Sequence, residues 1–386
     1  MNVIFTCGGT GGHIMPAIAV ANVLKERCPD ARVLFIGARG GMEEKLVSKA
    51  GYDIKIIQGA WISRKLDLAG IRRNIKAVGT VWKAVGICKE IIREFGADVI
   101  VGTGGYASFP AMYAGSAMGI PVLVHEANAV PGLTTKLAAG KAHKVLVSFA
   151  ESARYYRDPQ KVEVVGMPVR REFITTGKEE ARRKLGLDQR PLVVSTFGSL
   201  GARDMNYMVA ELMKLEQEAG YPFQHIHGTG AGGWEWMPAH VEKLGVRVND
   251  GKGLDMRDYI YDMPAVMAAA DVIIGRAGAS TCNEIAASGT PCILIPSPNV
   301  TNNHQEKNAR VLEKRDAAIV ICEPDCNARV LYDTLTQLLG DKDRCSKMSA
   351  ALRDMAVLDC ADRICNMMLQ IAEERGKGGH HGKRNQ

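Results

Sequence analysis

A chain of 386 residues is long enough for two domains of ordinary size, and 46% hydrophobic with 24% charged residues excludes a disordered or fibrous protein. The net charge is +7, and Arg375, Lys377, Lys383 and Arg384 near the end of the chain supply four of those charges, leaving a modest excess elsewhere. The ten cysteines form no C-x-x-C pair and mostly sit in apolar runs (Cys7, Cys88, Cys292, Cys322), which speaks for buried free thiols in a reducing cytosol and against a disulfide or zinc scaffold. The first residues carry no basic n-region, so no signal peptide is expected, and no apolar run reaches the length of a membrane-spanning helix.

Val3–Phe5 reads as a short buried strand. Gly8, Gly9, Gly11 and Gly12 follow around Thr10, then His13, and from Ile14 apolar residues recur at helical spacing (Ala17, Val20, Ala21, Leu24). Strand, glycine turn and helix start form an anion-binding arrangement, because the backbone comes close to a ligand and the first N–H groups of the helix face outward. The turn is not G-x-G-x-x-G, so a dinucleotide fingerprint is absent. Strands at Arg32–Ile36 and Ile54–Ile57 around a helix at Met42–Ala50 predict a parallel sheet with helices on both faces.

The stretch from Trp61 to Phe95 is rich in Lys and Arg, and Ile71, Ile75, Val78, Trp82 and Val85 fall on one helical stripe. The spacing predicts a helix packed on the sheet by that stripe. Its basic face, with Arg72, Arg73, Lys76 and Lys83 beside the apolar Trp61 and Leu66, suits an anionic membrane surface. Aromatics are sparse and no nucleic-acid module is visible, so no nucleic acid is expected as a partner.

A strand at Asp98–Val101 feeds a second glycine turn at 102–105, and a strand at Pro121–Val124 feeds His125, Glu126 and Asn128. Loops leaving the carboxyl ends of parallel strands are where such sheets place ligands. Strands at Lys144–Val147 and Val162–Val165 close the half, and Gly166 to Arg170 marks a break. The second half restarts with a strand at Leu192–Thr196, a turn at Phe197–Ala202 and a helix at Arg203–Ala219. Asp98 to Gly105 is echoed by Asp271 to Gly278, and Met118 to Val124 by Ser288 to Leu294. The fold expected is α/β: two Rossmann-like, doubly wound parallel-sheet domains facing across a cleft. The boundaries expected are 1–166 (first domain), 167–345 (second domain), 346–372 (C-terminal helices, able to pack back on the first domain) and 373–386 (a disordered basic tail).

Gly8 to His13, Gly104 to Tyr106, His125 to Gly132, Gly166 to Arg170, Gly198 to Ala202, Gly275 to Glu284 and His304 to Ala309 occur here in one order. Together they resemble the MurG family of undecaprenyl-diphospho-muramoylpentapeptide β-N-acetylglucosaminyltransferases, GT-B enzymes of glycosyltransferase family 28. The sequence departs from that pattern at Ala127, Phe197, Ser280 and Asn302. The resemblance implies transfer of N-acetylglucosamine from UDP-N-acetylglucosamine to the 4-hydroxyl of the muramoyl sugar of lipid I, with inversion and without a cofactor. It also implies a peripheral enzyme on the cytoplasmic face of the cell membrane, against its anionic inner leaflet.

Such a reaction needs a base, charge relief for the departing UDP, and orientation. His13 is the first candidate base and Glu126 the second, while His125 is suited to holding its loop. The glycine turns at Gly198–Ala202 and Gly275–Ala279, with Ser199 and Arg170, are candidates for the diphosphate. The family pattern adds Arg276, Ala279, Ser280 and Thr281 to the donor site, Glu284 for the ribose hydroxyls and Ile260 for the uracil. It assigns Gln305 and Asn128 to sugar hydroxyls, and Thr10, Gly11 and Gly12 to the acceptor diphosphate or the transferred sugar. The D-x-D match at Asp341 and Asp343 reads as a helix start. Another UDP-sugar transferase, a UDP-GlcNAc epimerase of the same fold, and a non-catalytic nucleotide-sugar binding protein are the alternatives.

Overall fold

The structure, a computed structural model, describes residues 1–58, 68–198 and 200–381, and only the backbone of 68–76 and 376–381. It forms two compact units, Met1–Pro168 with Val357–Gln386, and Val169–Ala356.

Among the described residues the first unit holds seven parallel strands: β1 (Asn2–Thr6), β2 (Arg32–Ala38), β3 (Asp53–Ile57), β4 (Val99–Gly102), β5 (Val122–Glu126), β6 (Lys144–Val147) and β7 (Val162–Val164). Their order is β3-β2-β1-β4-β5-β6-β7, so the winding reverses between β1 and β4. Side chains alternate along each strand, and both faces are covered. Val3 and Phe5 enter one core with Phe35, Val99 and the helix Gly11–Arg27. Ile4 enters the other with Ile36, Ile100, Val122 and Val124. Each such side chain contributes about 1.5–3 kcal/mol by leaving water.

The helix Leu68–Phe95 buries Ala84, Val85, Cys88 and Ile92, whereas Val78 and Trp82 are 49% and 54% exposed. The stripe expected to pack on the sheet is therefore corrected in part: its Val85 enters the core, but its Val78 and Trp82 face outward, and Ala84, Cys88 and Ile92 fill the buried side of the helix with Val85. Trp61 and Leu66 lie outside the described residues, as do the side chains of Arg72, Arg73 and Lys76. Lys83 is exposed.

The end of the chain returns to this unit as the helix Cys360–His381. Cys360, Ile364, Cys365, Met368 and Ile371 enter the core beside the helix Gly11–Arg27, and Arg27 donates to Asn366 Oδ1 at 2.7 Å. Arg375 donates to the Asp98 carbonyl at 3.1 Å. The helix continues past residue 373, where a disordered tail was expected, because its apolar stripe is docked over its first three turns. Residues 382–386 lie outside the described residues.

Among the described residues the second unit holds six parallel strands: β8 (Leu192–Thr196), β9 (Gln224–Gly228), β10 (Leu254–Arg257), β11 (Val272–Gly275), β12 (Cys292–Leu294) and β13 (Ile319–Val320). Their order, β10-β9-β8-β11-β12-β13, reverses between β8 and β11. The echoed segments thus occupy equivalent places, β4 with β11 and β5 with β12. The helix Lys342–Met355 belongs to this unit, packing through Met348 on Cys292, so the chain crosses back at Val357 rather than at residue 346. Asp341 caps that helix by accepting from the Arg344 N–H at 2.9 Å, which settles the D-x-D match as a helix start.

Candidate active site

In each unit the glycine turns leave the carboxyl ends of the two strands that flank the reversal, the place where open α/β sheets bind ligands. In the first unit, β1 ends in Gly8 to Thr10 and β4 in Thr103 to Gly105. Gly9 takes φ +88°, a left-handed conformation that glycine adopts without strain. The two turns interlock, since a side chain on Gly105 would run into the Gly8 backbone. Thr10 precedes the helix Gly11–Arg27 in extended conformation with no side-chain cap, so the first-turn N–H groups at Gly11 and Gly12 keep their outward donor directions.

His13 sits in that first turn. Its Nδ1 lies 3.1 Å from the Gly8 carbonyl and 3.4 Å from the Thr10 hydroxyl. A carbonyl only accepts, so the network assigns the hydrogen to Nδ1 and the basic lone pair to Nε2. Thr103 Oγ1 donates to the His13 carbonyl at 2.6 Å, and a Cβ on Gly104 would stand 2.9 Å from the ring. Backbone from β4 thus packs against the imidazole.

The loop after β5 is held by its own side chains. Glu126 is buried; Oε1 accepts from the Asn128 N–H at 3.0 Å and from Asn128 Nδ2 at 3.1 Å, and Oε2 from the Gly132 N–H at 3.0 Å. Both carboxylate oxygens are thereby used to shape residues 126–132, a placement that suits loop holding better than proton transfer. His125 Nε2 lies 2.9 Å from the Gly166 carbonyl, which also accepts from Ser148. His125 is fully buried, its Nδ1 has no hydrogen-bond partner, and burial holds its pKa below the ordinary value. It remains a neutral strut near pH 7.

In the second unit the turn after β8 is pressed against the loop after β9. Gly201 has φ +77°, and a side chain on it would strike the Thr229 carbonyl. Asn206, in the helix Arg203–Glu218, donates to that same carbonyl at 2.8 Å. Ser199 lies outside the described residues. After β11, Gly278 leads into the helix Ala279–Ser288, which has no side-chain cap and no acidic residue in its first turn. The N–H groups of Ala279, Ser280 and Thr281 precede the first intrahelical bond, from Cys282 to Gly278, and form a favourable anion site.

Glu284 lies one turn further along this helix. Desolvation lifts its carboxyl to about 7, against the opposing pull of the Arg170 charge. Arg170 itself is exposed, its guanidinium 5.0 Å from the Phe173 ring. Gln305 uses Oε1 to accept from the Ser297 N–H at 2.9 Å, which directs Nε2 as its donor end. Arg276 is engaged within the unit: it pairs with Glu323 at 2.5 Å and donates to the Ile295 carbonyl at 3.0 Å. Ile260 is buried against Gly228 at the end of β9, leaving only its backbone for a ligand.

Sequence reading missed Glu43, Glu323 and a buried network beneath the second unit's turn. In that network Ser195 Oγ lies 2.7 Å from both His225 Nε2 and His227 Nδ1, and His225 Nδ1 lies 3.0 Å from Glu216. The alternation of His225 and His227 on one face of a strand was the available signal; no sequence pattern marks the partners.

Two doubly wound parallel domains with glycine turns at both reversals define a GT-B protein. The first unit matches the glycosyltransferase family 28 N-terminal domain over residues 3–147, and the second half of the chain matches the family's C-terminal domain over residues 192–364. The chain belongs to glycosyltransferase family 28. It is 38% identical over 379 residues, 98% of this chain and 100% of the relative, to the UDP-N-acetylglucosamine--N-acetylmuramyl-(pentapeptide) pyrophosphoryl-undecaprenol N-acetylglucosamine transferase of Acetivibrio thermocellus. A protein of the same name from Thermoanaerobacter sp. is 40% identical over 375 residues, 96% of this chain and 100% of the relative. Among solved structures, MurG of Acinetobacter baumannii superposes with a TM-score of 0.75 at 25% identity, covering 96% of this chain and 99% of that one. The UDP-GlcNAc 2-epimerase of Neisseria meningitidis, with a TM-score of 0.65 at 14% identity over 96% of this chain and 100% of that one, shares the fold alone.

Proposed function

We propose that this chain transfers N-acetylglucosamine from UDP-N-acetylglucosamine to the muramoyl 4-hydroxyl of lipid I, giving lipid II for peptidoglycan synthesis. The carrying observation is 38% and 40% identity, over 98% and 96% of this chain, to transferases named for that reaction. Epimerase chemistry is supported by fold likeness only.

The second unit supplies the donor determinants. The first-turn N–H groups of Ala279–Thr281 and the turn at Gly198–Ala202, with Ser199, take the diphosphate and stabilise the charge that grows on departing UDP. Glu284 accepts from the ribose hydroxyls, Arg170 offsets negative charge, Gln305 Nε2 donates to a sugar hydroxyl, and the Ile260 backbone meets the uracil edge. The first unit supplies the acceptor determinants. His13 Nε2 takes the proton of the 4-hydroxyl as its oxygen bonds the anomeric carbon. The bond to UDP breaks on the opposite side, inverting the configuration. Thr10, Gly11, Gly12 and Asn128 orient the sugars.

The enzyme works at the anionic inner leaflet, as a peripheral protein on the cytoplasmic face. No helix among the described residues is long and apolar enough to cross a membrane. Exposed Val78 and Trp82 stand on the helix that carries Lys83, Trp82 packs edge-on to Tyr113 at 5.1 Å, and Lys141 lies 4.5 Å from the same Tyr113 ring. An aromatic and basic surface of this kind suits the headgroup region.

The test is UDP release by purified protein with and without a lipid I analogue. Release requires the analogue, and His13→Ala lowers kcat by about 10²–10⁴-fold with little change in donor KM. Release, or formation of a 2-epimer, that does not depend on the acceptor overturns the reading.

A further inference from the structure

Glu43 belongs to no ligand loop. It lies on the helix Met42–Lys49 and is fully buried. Oε1 accepts from the Ala38 N–H at 2.9 Å and Oε2 from the Gly9 N–H at 3.2 Å. The chain is cut back to glycine around it: a Cβ on Gly8 would stand 2.8 Å from Oε1, and side chains on Gly37 or Gly41 would collide with Glu43. A carboxyl group buried this deeply in the turn that carries His13 calls for an account beyond packing.

The Gly9 N–H and the Gly8 carbonyl are the two ends of one planar peptide group. The N–H end donates to Glu43, and the carbonyl end accepts from His13 Nδ1 at 3.1 Å. Carboxylate, peptide and imidazole therefore form a head-to-tail chain of two hydrogen bonds. Bonds in such a chain polarise one another, so a carboxylate drawing on the N–H makes the carbonyl a stronger acceptor. In a Ser-His-Asp triad the carboxylate touches the imidazole directly, selects its tautomer and stabilises the imidazolium. Here a single peptide group stands between them.

We propose that Glu43 is a positioning residue for the transfer step, holding His13 in its Nδ1–H form through the Gly8–Gly9 peptide and stabilising the imidazolium that forms when Nε2 takes the acceptor's proton. The proposal rests on the reading of His13 as the base. Electrons balance as in that reading: the acceptor oxygen gains the bond to the anomeric carbon, UDP leaves with the pair from the broken bond, and the proton stays on His13. The Glu126 carboxylate acts on His125, the ring that in turn bears on His13. His125, which bears electrostatically on His13, is kept neutral by burial, and the Cys7 thiol beside Glu43 is pushed up to about 12 by burial and by the Glu43 charge. Thr10 and Thr103 contribute hydroxyls only, and Tyr106 sets its ring against Gly9.

The experiment compares full-length wild type with Glu43→Gln, using histidine 15N NMR, with the His13 signal assigned from a His13→Gln sample, and a pH profile of kcat/KM. In wild type the neutral imidazole carries its hydrogen on Nδ1. In Glu43→Gln the His13 titration midpoint moves to lower pH by about half a pH unit or more. The acid limb of the rate profile moves with it, kcat falls about tenfold, and donor KM is unchanged. An unmoved midpoint in Glu43→Gln overturns the proposal and leaves the reading of His13 as base standing, whereas an Nε2–H tautomer in wild type overturns both, since Nε2 then has no lone pair for the acceptor's proton. A midpoint that moves while the acid limb stays put overturns both. If Glu43→Gln fails to fold, the wild-type tautomer decides: Nδ1–H supports the proposal and Nε2–H overturns it.

Discussion

Burial lifts the Glu284 carboxyl from its ordinary range to about 7, while the positive charge of Arg170 pulls it the other way. A carboxylate can accept from both ribose hydroxyls at once; a protonated carboxyl loses one of those acceptor positions. Donor KM therefore rises as pH falls through about 7. Glu284→Gln raises donor KM by about 10–100-fold at pH 8, flattens that pH dependence and changes kcat less. The shift also sets a stability cost. The folded state binds this proton more tightly than the unfolded chain, so stability falls as pH rises from the unfolded value through about 7. The ligand-free Glu284→Gln protein thus melts higher than wild type in alkaline buffer, a result that scanning calorimetry reads directly.

The bonds from Glu126 to Asn128 and Gly132 predict a loop defect rather than a lost base. Glu126→Ala destabilises the protein by about 2–4 kcal/mol in urea titration and raises acceptor KM, with the shape of the pH–rate profile retained. Disappearance of the acid limb in Glu126→Gln would instead make this carboxylate the base.

Acid stability follows from two buried imidazoles. Burial holds His227 down to about 3 and lowers His125 as well, while the unfolded chain protonates both near their ordinary value. The unfolded state then binds more protons, so stability is lost as pH falls below that value, by up to about 1.4 kcal/mol per pH unit for each histidine. His227→Gln removes part of the slope of unfolding free energy against pH between 6 and 4.5; an unchanged slope counts against this assignment.

The outward face of the helix Leu68–Phe95 is tested by charge reversal. Lys76→Glu with Lys83→Glu lowers cosedimentation with anionic vesicles by about tenfold or more, since each cation near such a surface contributes about 1 kcal/mol. Trp82→Ser weakens binding at every salt concentration, whereas the charge variants differ from wild type mainly at low salt. Sedimentation that is the same for all three rules out this face as the membrane contact.

Much of the architecture was legible because local rules suffice for it. Apolar runs such as Val3–Phe5 and Val99–Val101, each followed by glycines and a helical stripe, mark strand, turn and helix without reference to the rest of the chain. The repeat of Asp98 to Gly105 in Asp271 to Gly278 gave the two-domain plan. The stripe through Val78 and Trp82 misled, because periodicity shows that a helix has a face without showing what that face meets. Over residues 373–381 the expected tail is helix for a related reason: the composition there is that of a solvated segment, but the helix is docked by residues that precede it, from Cys360 to Ile371.

Sequence by itself determined the parallel two-domain fold, the family and the glycine turns at the sheet reversals, since strand, turn and helix signals are carried by neighbours in the chain. Tertiary structure alone decided which side chains in those loops reach outward and which are tied down. Glu126 closes its own loop, Arg276 is matched by Glu323, and Glu43 reaches His13 through one peptide group. Those pairings depend on hydrogen bonds and burial between residues up to 47 positions apart, as in Arg276 and Glu323, a separation over which no local pattern carries information.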